Sequence, residues 1–237
     1  MTDERFRSFW TPSSQVSSNP RSPFYHLVPK DPIENIAFRR KVIAWGSASK
    51  ENAHTLWLMC ARDLLFYVNT FVWTYDPRIE NSPAVPFITY GFQDEALLAI
   101  DSAIGHHDLL IEKSRDMGAS WMLLLVFEWR WHFKQLQSFL LVSRKEDLVD
   151  KSGDPKSLFW KIDFILQHQP RWMLPNYTRQ KLHLHNEDRG CTIDGESTTG
   201  DVARGDRRTA IGLDEFASFE DGYAAEAATG DATNCRI

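Results

Sequence analysis

Residues 109–121 read LLIEKSRDMGASW: a short apolar run, then a loop carrying Lys113, Arg115, Gly118 and Ser120, then an apolar helix pattern. Glycine lets the backbone approach a ligand closely, and the free amides that open the next helix attract an anion. The chemistry this layout suits is phosphate binding. The usual pattern GxxxxGK[ST] starts on glycine and has lysine just before the Ser/Thr. Here Lys113 takes the first position and Ala119 stands where lysine is expected, so the positive charge has moved upstream. Lys113, Ser114, Arg115, Asp116, Met117, Gly118, Ala119 and Ser120 are the candidate phosphate contacts. The Ser120 hydroxyl stands where a magnesium ligand belongs, and Arg115 suits a two-pronged grip on a terminal phosphate. A strand-to-helix turn with incidental basic residues is the plainer reading of the same letters.

The run AIGLDE downstream ends in Asp214 and Glu215. A carboxylate at the end of a strand holds magnesium, and its neighbour orients and deprotonates water. Two ordinary solvated acids are the alternative. Upstream, FQDEAL contains Gln93, an amide of the kind that reads an adenine edge; as a bland reading it caps a helix. Just before the acidic run, GDVARGDRR concentrates Arg204, Arg207 and Arg208. That segment is either a solvated turn or the source of an arginine acting on a neighbouring subunit's nucleotide.

These groups need a scaffold. ALLAIDSAI reads as a helix, DLLIEK as a strand, and residues 119 to about 133 as a helix. SFLLVS is the continuous apolar run of a buried parallel strand. A helix is expected from 157 to about 167, a strand pair around KLHLHNEDRGCTIDG, a strand over RTAIGLDEF and a helix over FEDGYAAEAA. Alternation of this kind builds an open α/β sheet. Residues 1–32, rich in Ser and Pro, are expected to form a flexible arm, and residues 33–85 a helical extension. DPRIENSPAVP breaks that extension, and the main domain occupies 86–237.

Composition narrows the classes. The chain has 237 residues and a formal net charge of −5, so nucleic-acid contact must come from a local patch. Three separated cysteines, Cys60, Cys191 and Cys235, offer no disulfide framework and fit a reduced cytoplasm. No signal peptide and no run long enough to span a bilayer are present, so no membrane partner is expected.

Taken together, KSRDMGAS, SRKEDLVD after SFLLVS, ARGDRRTAIGLDEFA and FQDEAL resemble the ATPase domain of tailed-phage terminase large subunits, over roughly residues 86–237. The resemblance implies a three-layer α/β/α P-loop NTPase of the additional-strand, catalytic-glutamate type, with a mostly parallel sheet and a helical N-terminal extension. It implies ATP and Mg²⁺ as cofactors, with Glu215 as the catalytic carboxylate, Asp214 as the magnesium ligand and Gln93 as an adenine contact. Lys113 and Arg115 supply the displaced charge, and Arg204 is the nearest match to a trans-acting arginine, with Arg207 and Arg208 as rivals. Implied partners are double-stranded DNA, a portal ring, a small terminase subunit and further copies in a ring, in the cytoplasm of a phage-infected or prophage-bearing cell. The family continues into a coupling motif and an RNase H-like nuclease, which this sequence lacks, so a fragment is expected. A helicase-like or recombination ATPase is an alternative that Ala119 disfavours. A non-hydrolysing nucleotide-binding assembly protein is another, disfavoured by the paired acids.

Other signals carry less. His183, His185 and Cys191 lack further ligands at metal-site spacing. The tryptophans of residues 121–133 read as core. The sequon at Asn176 has no use in a cytoplasm. Arg144, Lys145, Glu146 and Asp147 read as a solvated helix start or as a contact with DNA or a neighbouring subunit.

Overall fold

The computed structural model describes residues 21–81, 83–114, 117–198 and 207–237. They fall into two units: one runs to Asp94 and takes in Phe164–Leu174, and the other comprises Glu95–Asp163 and Pro175–Ile237.

In the first unit, α1 (Pro32–Ala48), α2 (Lys50–Arg62) and α3 (Leu64–Phe71) follow one another, each opened by a side-chain cap. Asp31 accepts from the Ile33 and Glu34 N–H groups at 3.0 Å each, and Pro32 needs no amide hydrogen at its position. Every residue of α3 is buried, which explains why its sequence is apolar all round. A hairpin of β1 (Trp73–Tyr75) and β2 (Ala84–Pro86) follows, and α4 (Gly91–Ala103) begins here. Arg39 is buried beneath the hairpin's approach. Its guanidinium donates to the Asn35 side chain at 2.6 Å and to the carbonyls of Val72 and Asn69 at 2.8 Å each.

Two stretches differ from their sequence reading. Residues 21–32, expected within the arm, hold Phe24, Leu27 and Val28 in the core, and Asp63 accepts from the Phe24 and Tyr25 N–H groups at 2.7 and 2.9 Å. Residues 86–94, expected with the main domain, belong to the first unit. Thr89 N–H donates to Asn69 at 2.9 Å, and the Tyr25 hydroxyl donates to Asp94 at 2.7 Å. Polar contacts between distant positions decide membership here, and composition does not carry them.

The second unit is built on a sheet. Its elements are α5 (Ala119–Phe133), β3 (Ser138–Ser143), α6 (Glu146–Val149), the first part of α7 (Leu158–Gln167), β4 (Tyr177–Gln180), β5 (His183–Asn186), β6 (Cys191–Ser197), β7 (Ala210–Leu213), a 3₁₀ turn at Phe216–Ser218 and α8 (Gly222–Gly230). The strand order is β4-β5-β6-β3-β7. β3 runs parallel to β6 and β7, while β5 is antiparallel to both β4 and β6, so β5 alone is reversed.

Pairing assigns the faces. Phe139 and Leu141 align with Ile193 and Gly195 on one side and with Ala210 and Gly212 on the other. The α5 helix covers this face, stacking Phe127 on Phe139 with ring centroids 4.5 Å apart, and Val149 and Phe159 close over Gly195. Leu140, Val142 and Ile211 point to the opposite face and pack with Phe219, Ala225 and Ala232 around α8. Helices therefore lie on both faces of a mixed α/β sheet. Among the described residues, no helix is long and apolar enough to cross a membrane.

Beyond β7 the sheet continues without a full ladder. Residues 235–237 lie parallel to β7: Ile211 N–H donates to Cys235 at 3.0 Å, Ile237 N–H to Ile211 at 2.9 Å and Leu213 N–H to Ile237 at 2.7 Å. On their other side, Leu109 N–H donates to the Arg236 carbonyl at 2.8 Å. The strand expected over DLLIEK is thus corrected: its described residues form no strand. One backbone bond to Arg236 and the ion pair between Asp108 and Arg236 at 3.0 Å align the segment without making a ladder.

Candidate nucleotide and metal site

Gly118 opens α5 in the left-handed region, at φ 78° and ψ 22°. An L side chain there costs about 1–2 kcal/mol, which accounts for glycine at this position of the loop. Gly118 has no side chain to cap the helix and no acid lies in the first turn, an opening that suits an anion. Ala119 and Ser120 begin the helix, and the Ser120 hydroxyl projects toward the acidic strand. It donates to Asp214 Oδ1 at 2.6 Å, joining positions 94 residues apart.

Asp214 follows directly on β7, where its N–H donates to the Val142 carbonyl at 3.0 Å. Burial pushes its carboxyl above the usual range, and the adjacent Glu215 adds to that rise. The Ser120 hydroxyl, Lys161 and Lys113 act in the opposite direction. Glu215 is exposed and lies in the left-handed region at φ 56°. A residue with a Cβ is strained in that region, and such strain is typical of a group whose direction matters. The turn swings the chain out of the strand into Phe216–Ser218, with Ser218 N–H donating to the Glu215 carbonyl at 2.8 Å.

A cavity of about 570 Å³ opens between these groups, within the range of small-ligand sites. Its lining includes Lys113, Ala119, Ser120, Asp214 and Glu215, the charged Asp108, Glu112, Glu226 and Arg236, and the apolar Leu109, Ile111, Leu213, Phe216 and Ile237. The donor set fits a hard divalent cation. A hydroxyl and a carboxylate oxygen already converge, and the carboxylate is one that burial disfavours as an uncompensated charge.

The remaining expected residues are distributed as follows. Lys113 and Ser114 are exposed, and Met117 is half-buried. Arg115, Asp116 and Arg204 lie outside the described residues. Gln93 belongs to the first unit, and its side-chain carbonyl accepts from the Tyr90 N–H at 3.0 Å, a local capping contact. Arg208 is engaged at the starts of the strands. Its guanidinium pairs with Asp194 and donates to Ser138 Oγ at 2.8 Å, while His183 holds the other Asp194 oxygen at 2.5 Å. Among the described residues no group of three or more His, Cys, Asp or Glu is placed to hold a metal, His183 and His185 included. Glu146 pairs with Lys181, and Asp147 with Lys151 at 2.9 Å, so the acids of the SRKED segment are engaged locally while Arg144 and Lys145 are exposed.

Sequence reasoning did not single out Lys161. It is half-buried on α7, and its ammonium feels Asp214, Asp154 and Glu215. The signal was present in LFWKIDFILQ, where one cation interrupts an otherwise apolar helix face.

No family model and no curated protein matches the chain. Among solved structures, the HK97 bacteriophage large terminase is similar in fold, with a TM-score of 0.56 and 15% identity over 75% of this chain. The match covers 36% of that protein, so the chain spans little more than a third of its length.

Proposed function

We propose that this protein is the ATP-hydrolysing part of a motor that packages double-stranded viral DNA, akin to a terminase large subunit. The observation that carries the reading is the Ser120–Asp214 contact at the start of α5, with Glu215 next in the chain. Two further features support it. Residues 235–237 lie between the phosphate-loop segment and the acidic strand, as an additional-strand P-loop sheet requires. The fold is also similar to that of a phage large terminase.

In this mechanism the amides that open α5, with Lys113 and Arg115, bind the phosphates of ATP. Ser120 and Asp214 hold magnesium, which when bound would neutralise phosphate charge and orient the terminal group. Glu215 accepts the proton of the attacking water. Arg204 completes a neighbouring subunit's site in a homo-oligomeric ring. DNA, a portal ring and a small terminase subunit are the partners, met in the cytoplasm of the host cell.

The test is nucleotide binding and turnover in the presence of Mg²⁺, with and without double-stranded DNA. Wild type is expected to hydrolyse ATP. Glu215→Gln should bind Mg·ATP with similar affinity but turn it over about 10²-fold more slowly or worse, the scale of a lost general base. Undiminished turnover in Glu215→Gln, or no nucleotide binding by wild type, would overturn the proposal.

A further inference from the structure

Along a strand, successive side chains alternate between the two faces of the sheet. β7 obeys this as far as Asp214: Leu213 packs against Leu140, Val142 and Ile211 on the α8 side, and Asp214 meets Ser120 of α5 on the other. Continued alternation would carry Glu215 into the apolar cluster beneath α8 and turn Phe216 toward α5. The observed order is reversed. Glu215 is exposed, and Phe216 is the residue that packs against the cluster. Its ring meets Phe219 edge-on with centroids 5.3 Å apart, and its Cζ lies 3.4 Å from where a Cβ would stand on Gly222, at the start of α8. The left-handed step at Glu215, φ 56°, makes the exchange, and the Phe219 N–H donates to the Phe216 carbonyl at 3.0 Å to close the turn behind it. Phe216 also lines the cavity together with Ser120, Asp214 and Glu215. Burial of an aromatic ring offsets the strain of an L residue in the left-handed region, so the two features depend on one another.

We infer that Phe216 is a positioning residue for Glu215: its ring, anchored on Phe219 and the start of α8, holds the left-handed step and so keeps the Glu215 carboxylate at the cavity instead of beneath α8. The inference rests on the reading of Glu215 as the group that accepts the proton of the attacking water.

Two double-mutant cycles test it, the first by urea unfolding without nucleotide. Glu215→Gly and Glu215→Ala remove the same charge, and only glycine escapes the left-handed strain. The glycine variant should therefore have a folding equilibrium constant about threefold to tenfold larger than the alanine variant. In a Phe216→Ala background that advantage should vanish, because the turn has already relaxed. In the second cycle, turnover of Mg·ATP, Phe216→Ala should lower kcat about tenfold to a hundredfold, the range for a misplaced base, with KM within about twofold. Phe216→Leu, which keeps an apolar anchor, should recover most of the loss. Added to Glu215→Gln, Phe216→Ala should lower kcat less than twofold further, since no base is left to misplace. A ring that only packs would act equally with Glu or Gln at 215 and would leave the glycine advantage intact. Either result overturns the inference and leaves the hydrolysis reading standing. Turnover that is undiminished in Glu215→Gln overturns the hydrolysis reading, and the inference with it.

Discussion

Gly212 lies two residues before Asp214, on the face of β7 that α5 covers. A Cβ built there would stand 2.9 Å from Leu123 Cδ2, 3.2 Å from Leu141 Cδ2 and 3.3 Å from Phe127 Cε2. Carbon atoms settle at about 3.5–4.0 Å, so the Leu123 contact alone requires about 0.6–1.1 Å of movement. Leu123 follows Ser120 by three residues on the same helix. If α5 takes up that movement, the Ser120–Asp214 distance grows from 2.6 Å to about 3.2–3.7 Å, beyond an O–H···O hydrogen bond. Gly212→Ala should therefore cost about 1–3 kcal/mol of stability, as overpacking of a filled core does. It should also weaken Mg²⁺-dependent nucleotide binding about tenfold, although no polar group has been altered; the loss of one hydrogen-bond geometry to a charged group is of that size. Urea denaturation and calorimetric titration with Mg·ADP measure the two effects. Gly91→Ala is the control: nothing lies within 4 Å of its Cβ position, so alanine at the start of α4 should be neutral or stabilise by up to about 1 kcal/mol. Gly212→Ala with wild-type stability and wild-type binding would refute the close packing of α5 on β7.

Three other perturbations test separate parts of the structure. Gly118→Ala forces an L residue into the left-handed opening of α5 and should cost about 1–2 kcal/mol, read as a loss of roughly tenfold in phosphate-ligand affinity when the loop gives way. Arg39→Met leaves the carbonyls of Val72 and Asn69 and the Asn35 side chain without their donor, and should lower stability by about 3 kcal/mol or more in thermal melts. Burial of Asp63 outweighs its three backbone N–H donors and pushes its carboxyl up to about 6. An acid whose folded value is raised contributes stability below its unfolded value and loses it as pH rises through the folded one. Between pH 4 and 7 the stability of wild type relative to Asp63→Asn should therefore fall, by at most about 3 kcal/mol. A difference that stays flat or rises over that interval would count against the burial account.

Local pattern carried much of the second unit. SFLLVS and LFWKIDFILQ could be placed because an unbroken apolar run and a helical period each match one structure. The boundaries of α5 were readable because Gly118 marks its start and its buried residues, Glu128 and His132 apart, are apolar. What stayed hidden depends on partners far away in sequence. DLLIEK has the letters of a strand, but a ladder needs a neighbour, and residues 235–237 present one bond to it. Membership of residues 164–174 in the first unit follows from contacts such as the Phe71–Trp172 ring pair, with centroids 5.9 Å apart, which no local window contains. At the site, residue types suggested Ser120 and Asp214, and their 2.6 Å approach came only with the fold. Arg208, in sequence a rival of Arg204 for a trans-acting role, is held by Asp194 and Ser138, partners that no local window contains.

The short stretch 235–237 acts as a spacer. It bonds to Ile211 and Leu213 on one edge and to Leu109 on the other, so the backbone before the phosphate loop stands two strand widths from β7, about 10 Å instead of about 5 Å. Residues 235–237 themselves fill that gap, and Ser120 and Asp214 meet past the end of β7. Main-chain geometry sets the spacing, so side-chain exchange along 235–237 leaves it unchanged, and proline at 237, which removes the amide bonded to Ile211, is the substitution that would let it drift.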